Sequence, residues 1–354
     1  MSRSLIVLPD DSVQPILDAI DHAAKSLRIK MFVFTDPSLL AAVIAAHRRG
    51  VSVKIMLNPM RRNGVSENDQ SRKTLLAAGV EVRDSNPAFD LTHEKSMVVD
   101  DTTAFVKSLN WQTANLTGTR DYAVVTTHPH EVEEIINGFE ADWSRQEFAS
   151  GPTAHLIWCR GNGRERITEF INHAKHSLWL QNERYQDQMI IECLVRAKER
   201  GVKVHVMARQ AHTLKKDKLI EGVGGLRILS DVGIKVRKLK RLKLHAKMLL
   251  ADGERAIIGS INLAPGSFDS RRELAIEVED KHIVDRLHAI VRRDWKNSHP
   301  LDLTDEGLLA DLEKHGGKGI EELGLDEEKE SSTPDAPNLP TPKSHPISGK
   351  RTPA

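Results

Sequence analysis

Two stretches of the chain carry the same chemical groups at the same spacing. His93, Lys95, Asp100, Ser108 and Asn110 recur 152 positions later as His245, Lys247, Asp252, Ser260 and Asn262. A single H-x-K-x4-D could arise by chance, but two copies, each followed at equal distance by S-x-N, form a pattern. An imidazole titrates near neutrality and serves as nucleophile or proton carrier. Lysine and asparagine amide groups bind anionic oxygens, so the set suits chemistry at a phosphoryl group. A phosphodiester repels anionic nucleophiles, and its leaving alkoxide is poor. A neutral imidazole attacks without that repulsion and divides one hard step into two. A second, protonated imidazole supplies the leaving oxygen with its proton. Lys95, Lys247, Asn110 and Asn262 would hold the non-bridging oxygens where charge accumulates. Each copy supplies one histidine, so one complete site needs both copies.

The elements that position these groups follow from periodicity. Read as one strand, 241–248 places Arg241, Lys243, His245 and Lys247 on one face and Leu242, Leu244, Ala246 and Met248 on the other. The turn dipeptide Asp252-Gly253 returns the chain into a second strand that ends at Asn262. Asp100 and Asp252 lie at an odd offset from their lysines, off the catalytic face, and read as structural residues of the hairpin turn. The duplication extends well beyond the motifs. Ser26–Ile29 aligns with Ser177–Leu180, Gly50–Lys54 with Gly201–His205, and Gly79–Arg83 with Gly233–Arg237. Arg120-Asp121 aligns with Arg272-Glu273, and Asp142-Trp143 with Asp294-Trp295, which read as packing residues closing a helix. The first half predicts helices at 12–26, 37–49 and 69–78, separated by strands. The second predicts helices at 164–176 and 187–200, a strand at 178–183, and further strands at VKVHVMA and IKVRKL. Alternating strands and helices predict an α/β sandwich in each half, a mixed sheet flanked by helices. Expected domains are lobes at 1–150 and 151–300, a helical extension at 301–324 and a disordered tail at 325–354, rich in Pro, Ser and charge.

Composition narrows the partners. The chain has 354 residues, 39% apolar and 29% charged, with a net charge of +1. No global field drives binding to nucleic acid or acidic membranes, so anion affinity must be local. Cys159 and Cys193 suit a reducing compartment and give no metal-ligand spacing; no metal or cofactor is expected. The apolar run Leu5–Leu8 is too short for a signal-peptide core or a membrane span. The protein reads as soluble and cytoplasmic, with peripheral membrane contact left open. His128, His130, His155, His173 and His176 read as surface residues.

The two motifs, the duplication and the α/β pattern together resemble the phospholipase D superfamily across about 1–298. The resemblance implies two tandem lobes related by a pseudo-twofold axis, with both motifs meeting at one site. It implies metal-free cleavage or exchange of a phosphodiester through a covalent phosphohistidine, with His93 as nucleophile and His245 as acid. It also implies an acidic residue that orients each histidine. Asp121 and Glu273, each 28 residues after its own motif histidine, are the candidates, accepting a hydrogen bond from the distal ring nitrogen. The second copy has Gly259 where the family pattern has glycine, whereas the first has Lys107, which either points away or adds charge at the site's edge. Ser108 and Ser260 either bind phosphate or satisfy backbone groups. Lys243 either attracts phosphate or belongs to a solvated strand face. The loops 59–72 and 209–219 read as the mouth of the site or as ordinary polar connections.

The resemblance points first to a phospholipid substrate, in the manner of phospholipase D and cardiolipin synthases, with the phosphatidyl group passing to water or an alcohol. The alternative is a nuclease of the same superfamily. Near-neutral charge and only 4% aromatic residues count against that alternative. A duplicated chain that completes its own site has no catalytic need for a protein partner.

Overall fold

The computed structural model describes residues 2–60, 66–151, 154–209 and 219–314. The first half runs β1 (Arg3–Leu8), α1 (Gln14–Asp21), β2 (Ser26–Met31), α2 (Pro37–Arg48), β3 (Ser52–Leu57), α3 (Asp69–Ala77), β4 (Glu81–Asp84), β5 (Leu91–Thr92), β6 (Ser96–Val99), β7 (Thr103–Lys107), α4 (Thr113–Gly118), β8 (Thr119–Thr126) and α5 (Pro129–Trp143). The second half runs β9 (Ile157–Cys159), α6 (Gly163–Asn172), β10 (Ser177–Asn182), α7 (Gln188–Glu199), β11 (Lys203–Met207), α8 (Leu219–Asp231), β12 (Lys235–Leu239), β13 (Lys243–Leu244), β14 (Lys247–Ala251), β15 (Arg255–Gly259), α9 (Pro265–Asp269), β16 (Arg271–Val278), α10 (Lys281–Lys296), β17 (Ser298–Pro300) and α11 (Asp305–Lys314). Each half is an α/β lobe with a mixed sheet flanked by helices. β2, β3 and β4 run parallel, and β6 joins β2 antiparallel. β10, β11, β12 and β14 repeat that arrangement. The apolar run at Leu5–Leu8 forms most of β1, paired antiparallel with β8.

The local sequence explains the helix starts. Asp36 precedes Pro37, and its carboxylate accepts from Ser38 N and Leu39 N, both at 3.1 Å, which satisfies donors that α2 leaves open. Asp187 does the same for α7 through Ile190 N. α8 follows the predicted loop at 209–219 and was not predicted; tertiary packing of Val223, Leu226 and Leu229 into the core holds the helix.

Three cores organise the molecule. One joins the first sheet to α1, α2 and α3. A second joins the other sheet to α6, α7 and α8. The third lies between the lobes, where Val98, Val106 and Val124 of the first sheet share one cluster with Met248, Ile258 and Ile276 of the second, with α5 and α10 alongside.

The predicted continuous strand over 241–248 is broken. β13 leaves its own sheet and pairs parallel with β8 of the first lobe. β14 resumes beside β10. The first lobe mirrors this: β5 pairs with β16 of the second lobe, whereas β6 pairs with β2. Each motif histidine therefore lies on the segment that crosses between sheets, and alternation on one strand face does not describe its position.

Asp100 and Asp252 close the hairpins that follow. Both have left-handed backbones, as do their successors Asp101 and Gly253. The Asp100 carboxylate accepts from Ala24 N, Lys25 N and Ser26 N. That of Asp252 accepts from Lys175 N, His176 N and Ser177 N. Each aspartate thus ties its turn to the start of the central strand. α11 packs Leu308 and Leu312 into the second-lobe core. The remainder of the expected extension and the tail at 325–354 lie outside the described residues.

Candidate active site

Backbone pairing brings each histidine to the opposite lobe. His93 N and Glu94 N both donate to Arg272 O at 2.9 Å, and His245 N donates to Arg120 O at 3.3 Å. These contacts set the imidazoles beside the acidic residues that follow the two arginines.

The carboxylates are exchanged relative to the sequence expectation. His93 Nδ1 lies 2.9 Å from Glu273 Oε2 and 3.1 Å from Ser260 O. His245 Nδ1 lies 2.9 Å from Asp121 Oδ1. Glu273 therefore serves the first motif and Asp121 the second, rather than each serving the histidine that precedes it in sequence. The physical reason is the strand exchange, which moves β5 against β16 and β13 against β8. A carboxylate and a carbonyl are acceptors only, so Nδ1 carries the proton in His93, and Nε2 keeps its lone pair.

Both carboxylates are held in turn. Asp121 accepts from Ser108 Oγ at 2.6 Å, and from Thr119 Oγ1. Glu273 accepts from Ser267 Oγ at 2.8 Å. Burial opposes ionisation of both carboxyls, but His245 beside Asp121, and His93 beside Glu273, outweigh it and hold them below the usual range. Burial pushes His93 down to about 3, with Glu273 opposing and Lys95 adding to the fall. Burial also lowers His245, with Asp121 opposing. Both imidazoles are thus biased toward the neutral form before substrate binds.

Lys95 donates to His93 O at 2.6 Å, and Lys247 donates to His245 O. Burial pushes Lys95 well below the usual lysine range, and the charge of Lys247 adds to it. The two half-sites therefore share one electrostatic environment. Asn110 and Asn262 are buried, each with its side-chain carbonyl oxygen unpartnered.

The four further phosphate-binding candidates are placed otherwise. The Ser108 hydroxyl is used by Asp121 and by Tyr122 N, and that of Ser260 by the backbone of Leu274. Lys243 is exposed on β13. Lys107 is fully buried, its Nζ 4.7 Å from the Trp111 ring centroid and without a hydrogen-bond partner. It is not a charge on an open rim. Burial pushes it down to about 7, with Glu94 opposing. Its counterpart Gly259 is required by packing, since a Cβ there would stand 2.3 Å from Leu274 O. Of the two predicted mouth loops, 61–65 and 210–218 lie outside the described residues.

Three features escaped the sequence reading. Glu183 reaches the second half-site, with Oε2 3.0 Å from Lys247 Nζ and 4.0 Å from His245 Nε2. Phe32, its counterpart in the repeat, packs edge-on to His93 at 4.9 Å between ring centroids. Asp142 and Asp294 are not mere packing residues. Arg272 makes two bonds to Asp142, and Arg120 two to Asp294, all buried and all between lobes. The repeat alignment held the signal for Glu183, as the one acidic residue paired with an aromatic one directly after equivalent strands.

Comparison with known proteins places this geometry. The family described as "Cardiolipin synthase, PLD-like domain" matches residues 16–143 and again 167–295. The chain belongs to this family and carries its domain twice; it is an enzyme of the phospholipase D type, a phosphodiesterase or phosphatidyltransferase. Cardiolipin synthase B of Shigella flexneri is 25% identical over 333 residues, covering 79% of this chain and 78% of its own length. Mitochondrial cardiolipin hydrolase of Homo sapiens is 28% identical over 137 residues, covering 38% of this chain and 52% of its own. Among solved structures, phosphatidylserine synthase of Haemophilus influenzae Rd KW20 superposes with a TM-score of 0.66 at 12% identity, covering 84% of this chain and 87% of its own. Polyphosphate kinase of Porphyromonas gingivalis gives 0.67 at 17% identity, covering 85% of this chain and 48% of its own. At these identities the two structures speak to the fold alone. Among the described residues no helix is long and apolar enough to cross a membrane.

Proposed function

We propose that the protein transfers the phosphatidyl group of a phospholipid to an alcohol or to water, through a covalent intermediate on His93 and without a metal. The observation that carries the chemistry is the reciprocal pairing of each imidazole with a carboxylate of the other lobe. It fixes the tautomer of His93 and leaves its Nε2 as a neutral nucleophile. In the first step His93 Nε2 bonds to phosphorus and the bond to the leaving alcohol breaks. His245, protonated, gives its proton to that oxygen. In the second step an incoming hydroxyl gives its proton to His245, its oxygen bonds to phosphorus, and the phosphorus–nitrogen bond breaks. Lys95, Lys247, Asn110 and Asn262 bind the oxygens on which negative charge builds, where removal of one such donor costs about 3–4 kcal/mol of barrier. Support for a lipid substrate comes from relatives named as cardiolipin synthases, matched along most of both chains.

Parallel assays on phosphatidylglycerol vesicles and on plasmid DNA test this reading, with His93→Ala and His245→Ala as controls and with EDTA present and absent. The expected result is lipid turnover that survives EDTA and is lost in both variants. Cleavage of DNA alone overturns the substrate, and loss on chelation overturns the metal-free route. Base-stable label recovered on His93 after rapid quench identifies the nucleophile; label on His245 reverses the two roles.

A further inference from the structure

Histidine, lysine and asparagine are the same in both motifs, so the motifs alone do not decide which imidazole attacks and which gives the proton. The residue directly after the central strand differs. It is Phe32 in the first lobe and Glu183 in the second, 151 positions apart, the same separation as Ser26 and Ser177. Phe32 sets an uncharged ring edge-on to His93. Glu183 sets a carboxylate beside His245, with Oε2 4.0 Å from Nε2 and 3.0 Å from Lys247 Nζ, while Oε1 takes Arg209. Burial opposes ionisation of Glu183, but Lys247, His245, Arg209 and Arg184 outweigh burial and hold its carboxyl well below the usual range.

The gap of 4.0 Å between Glu183 Oε2 and His245 Nε2 is too long for a hydrogen bond but close for an opposite charge. Asp121 holds Nδ1, so the Nε2 proton of a charged His245 is left for a leaving oxygen. Glu183 favours the imidazolium without competing for its proton. The other charged groups around the imidazoles are matched. Burial opposes the charged form of both, the carboxylate opposite each resists it, and each motif lysine adds to the fall. Arg120, whose backbone meets His245, spends its side chain on Asp294 and Asp10. Lys247 bears on His93 as well, and lowers it further. Lys247 also keeps its part in binding substrate. Its ammonium has three donors; His245 O and Glu183 take two, and among the described residues the third is left for a phosphoryl oxygen.

We infer that Glu183 sets the division of labour between the two histidines, keeping His245 charged as the proton donor while His93, beside Phe32, stays neutral as the nucleophile. Glu183 acts through His245 and is a positioning residue. In the first transfer step the phosphorus–nitrogen bond forms at His93, the phosphorus–oxygen bond breaks, and the proton on His245 Nε2 passes to the departing oxygen. Glu183 gains and loses no proton. The inference rests on the roles proposed for the two histidines and adds what decides them.

The test is the pH profile of kcat/KM on phosphatidylglycerol vesicles. Glu183→Gln should move the falling limb about one pH unit lower, as removal of one nearby opposite charge does. Glu183→Asp, which keeps the charge, should recover most of that shift. A limb that stays in place while the rate falls equally at every pH makes Glu183 merely structural and overturns the inference. The leaving group supplies a second readout. Nitrophenolate departs without a proton, so its first-turnover release from bis(4-nitrophenyl) phosphate should be nearly unchanged in Glu183→Gln, which also shows that the variant folds. Release of glycerol from phosphatidylglycerol at neutral pH should fall about tenfold, the rate equivalent of that shift. An equal loss on both substrates overturns the inference. Label trapped on His245 overturns the proposed roles and this inference together, whereas label on His93 with an unmoved limb overturns Glu183 alone. If plasmid DNA is cleaved and vesicles are not, the lipid reading falls, and the limb measured on DNA, whose leaving group is also an alkoxide, decides the role of Glu183.

Discussion

At the scale of single residues, the site depends on which nitrogen of each imidazole is held. Glu273→Gln leaves the shape of the first half-site but can present an amide N–H to Nδ1, which favours the wrong tautomer. Turnover should fall by orders of magnitude while the urea midpoint moves little; unchanged turnover would remove the role from Glu273. Proton affinity gives a second expectation. Because burial holds His93 down to about 3, it stays neutral throughout the usual assay range. The fall of kcat/KM with rising pH then reports His245, at a value below that of an ordinary imidazole because burial lowers it too. Lys107 gives a third. Its folded value of about 7 lies under the ordinary 10.5, so the unfolded chain binds its proton more readily. Its penalty is absent above 10.5, grows as pH falls from there to about 7, and is constant below. Lys107→Met should therefore stabilise the protein by about 1–3 kcal/mol at neutral pH, with the gain fading as pH approaches 10.5. Thermal unfolding measured across that range checks the sign. The histidines, lysines and asparagines were legible in the sequence because motif spacing survives as a linear pattern. The partner of each histidine was not, because a fixed separation of 28 residues says nothing about which lobe a strand faces.

At the scale of elements, the short strands β5 and β13 do more than their length suggests. Each has two residues and leaves its own sheet for the other, which is what carries the histidines across. Alternation predicted one strand over 241–248 but could not reveal the break between β13 and β14, since a change of sheet leaves no mark on a two-residue period. The turns that follow were readable from Asp252-Gly253, and their aspartates hold three backbone donors each. Asp252→Ala should cost about 0.5–2 kcal/mol, in line with lost caps at other backbone donors. Burial opposes ionisation of Asp252, but the N–H groups of Ser177, Lys175 and His176 outweigh it and lower the carboxyl. Its contribution is therefore present above its unfolded value and lost as pH falls through the folded one. A urea midpoint that is equally lowered at acid and neutral pH would argue against this clamp. α8 was missed because LIEGVGGLRILSD contains three glycines, which weaken helical propensity while packing supplies the missing stability.

At the scale of the whole molecule, the lobes are joined by an apolar core and by two buried ion pairs, Arg272 with Asp142 and Arg120 with Asp294. Asp142 also accepts from Lys30 at 2.7 Å, so Asp142→Asn leaves two cations underpaired and should cost about 3–5 kcal/mol in urea unfolding. The repeat alignment had found all four charged residues and their correspondence, yet pairing across the lobes is a property of assembly that no single half encodes. The reciprocal exchange of strands and carboxylates has one more consequence. A chain with one copy of this unit would have to meet a second molecule before its imidazole found an acceptor, and dilution would silence it. Joining two copies in one chain fixes their effective concentration, so specific activity should stay level as the enzyme is diluted through the nanomolar range.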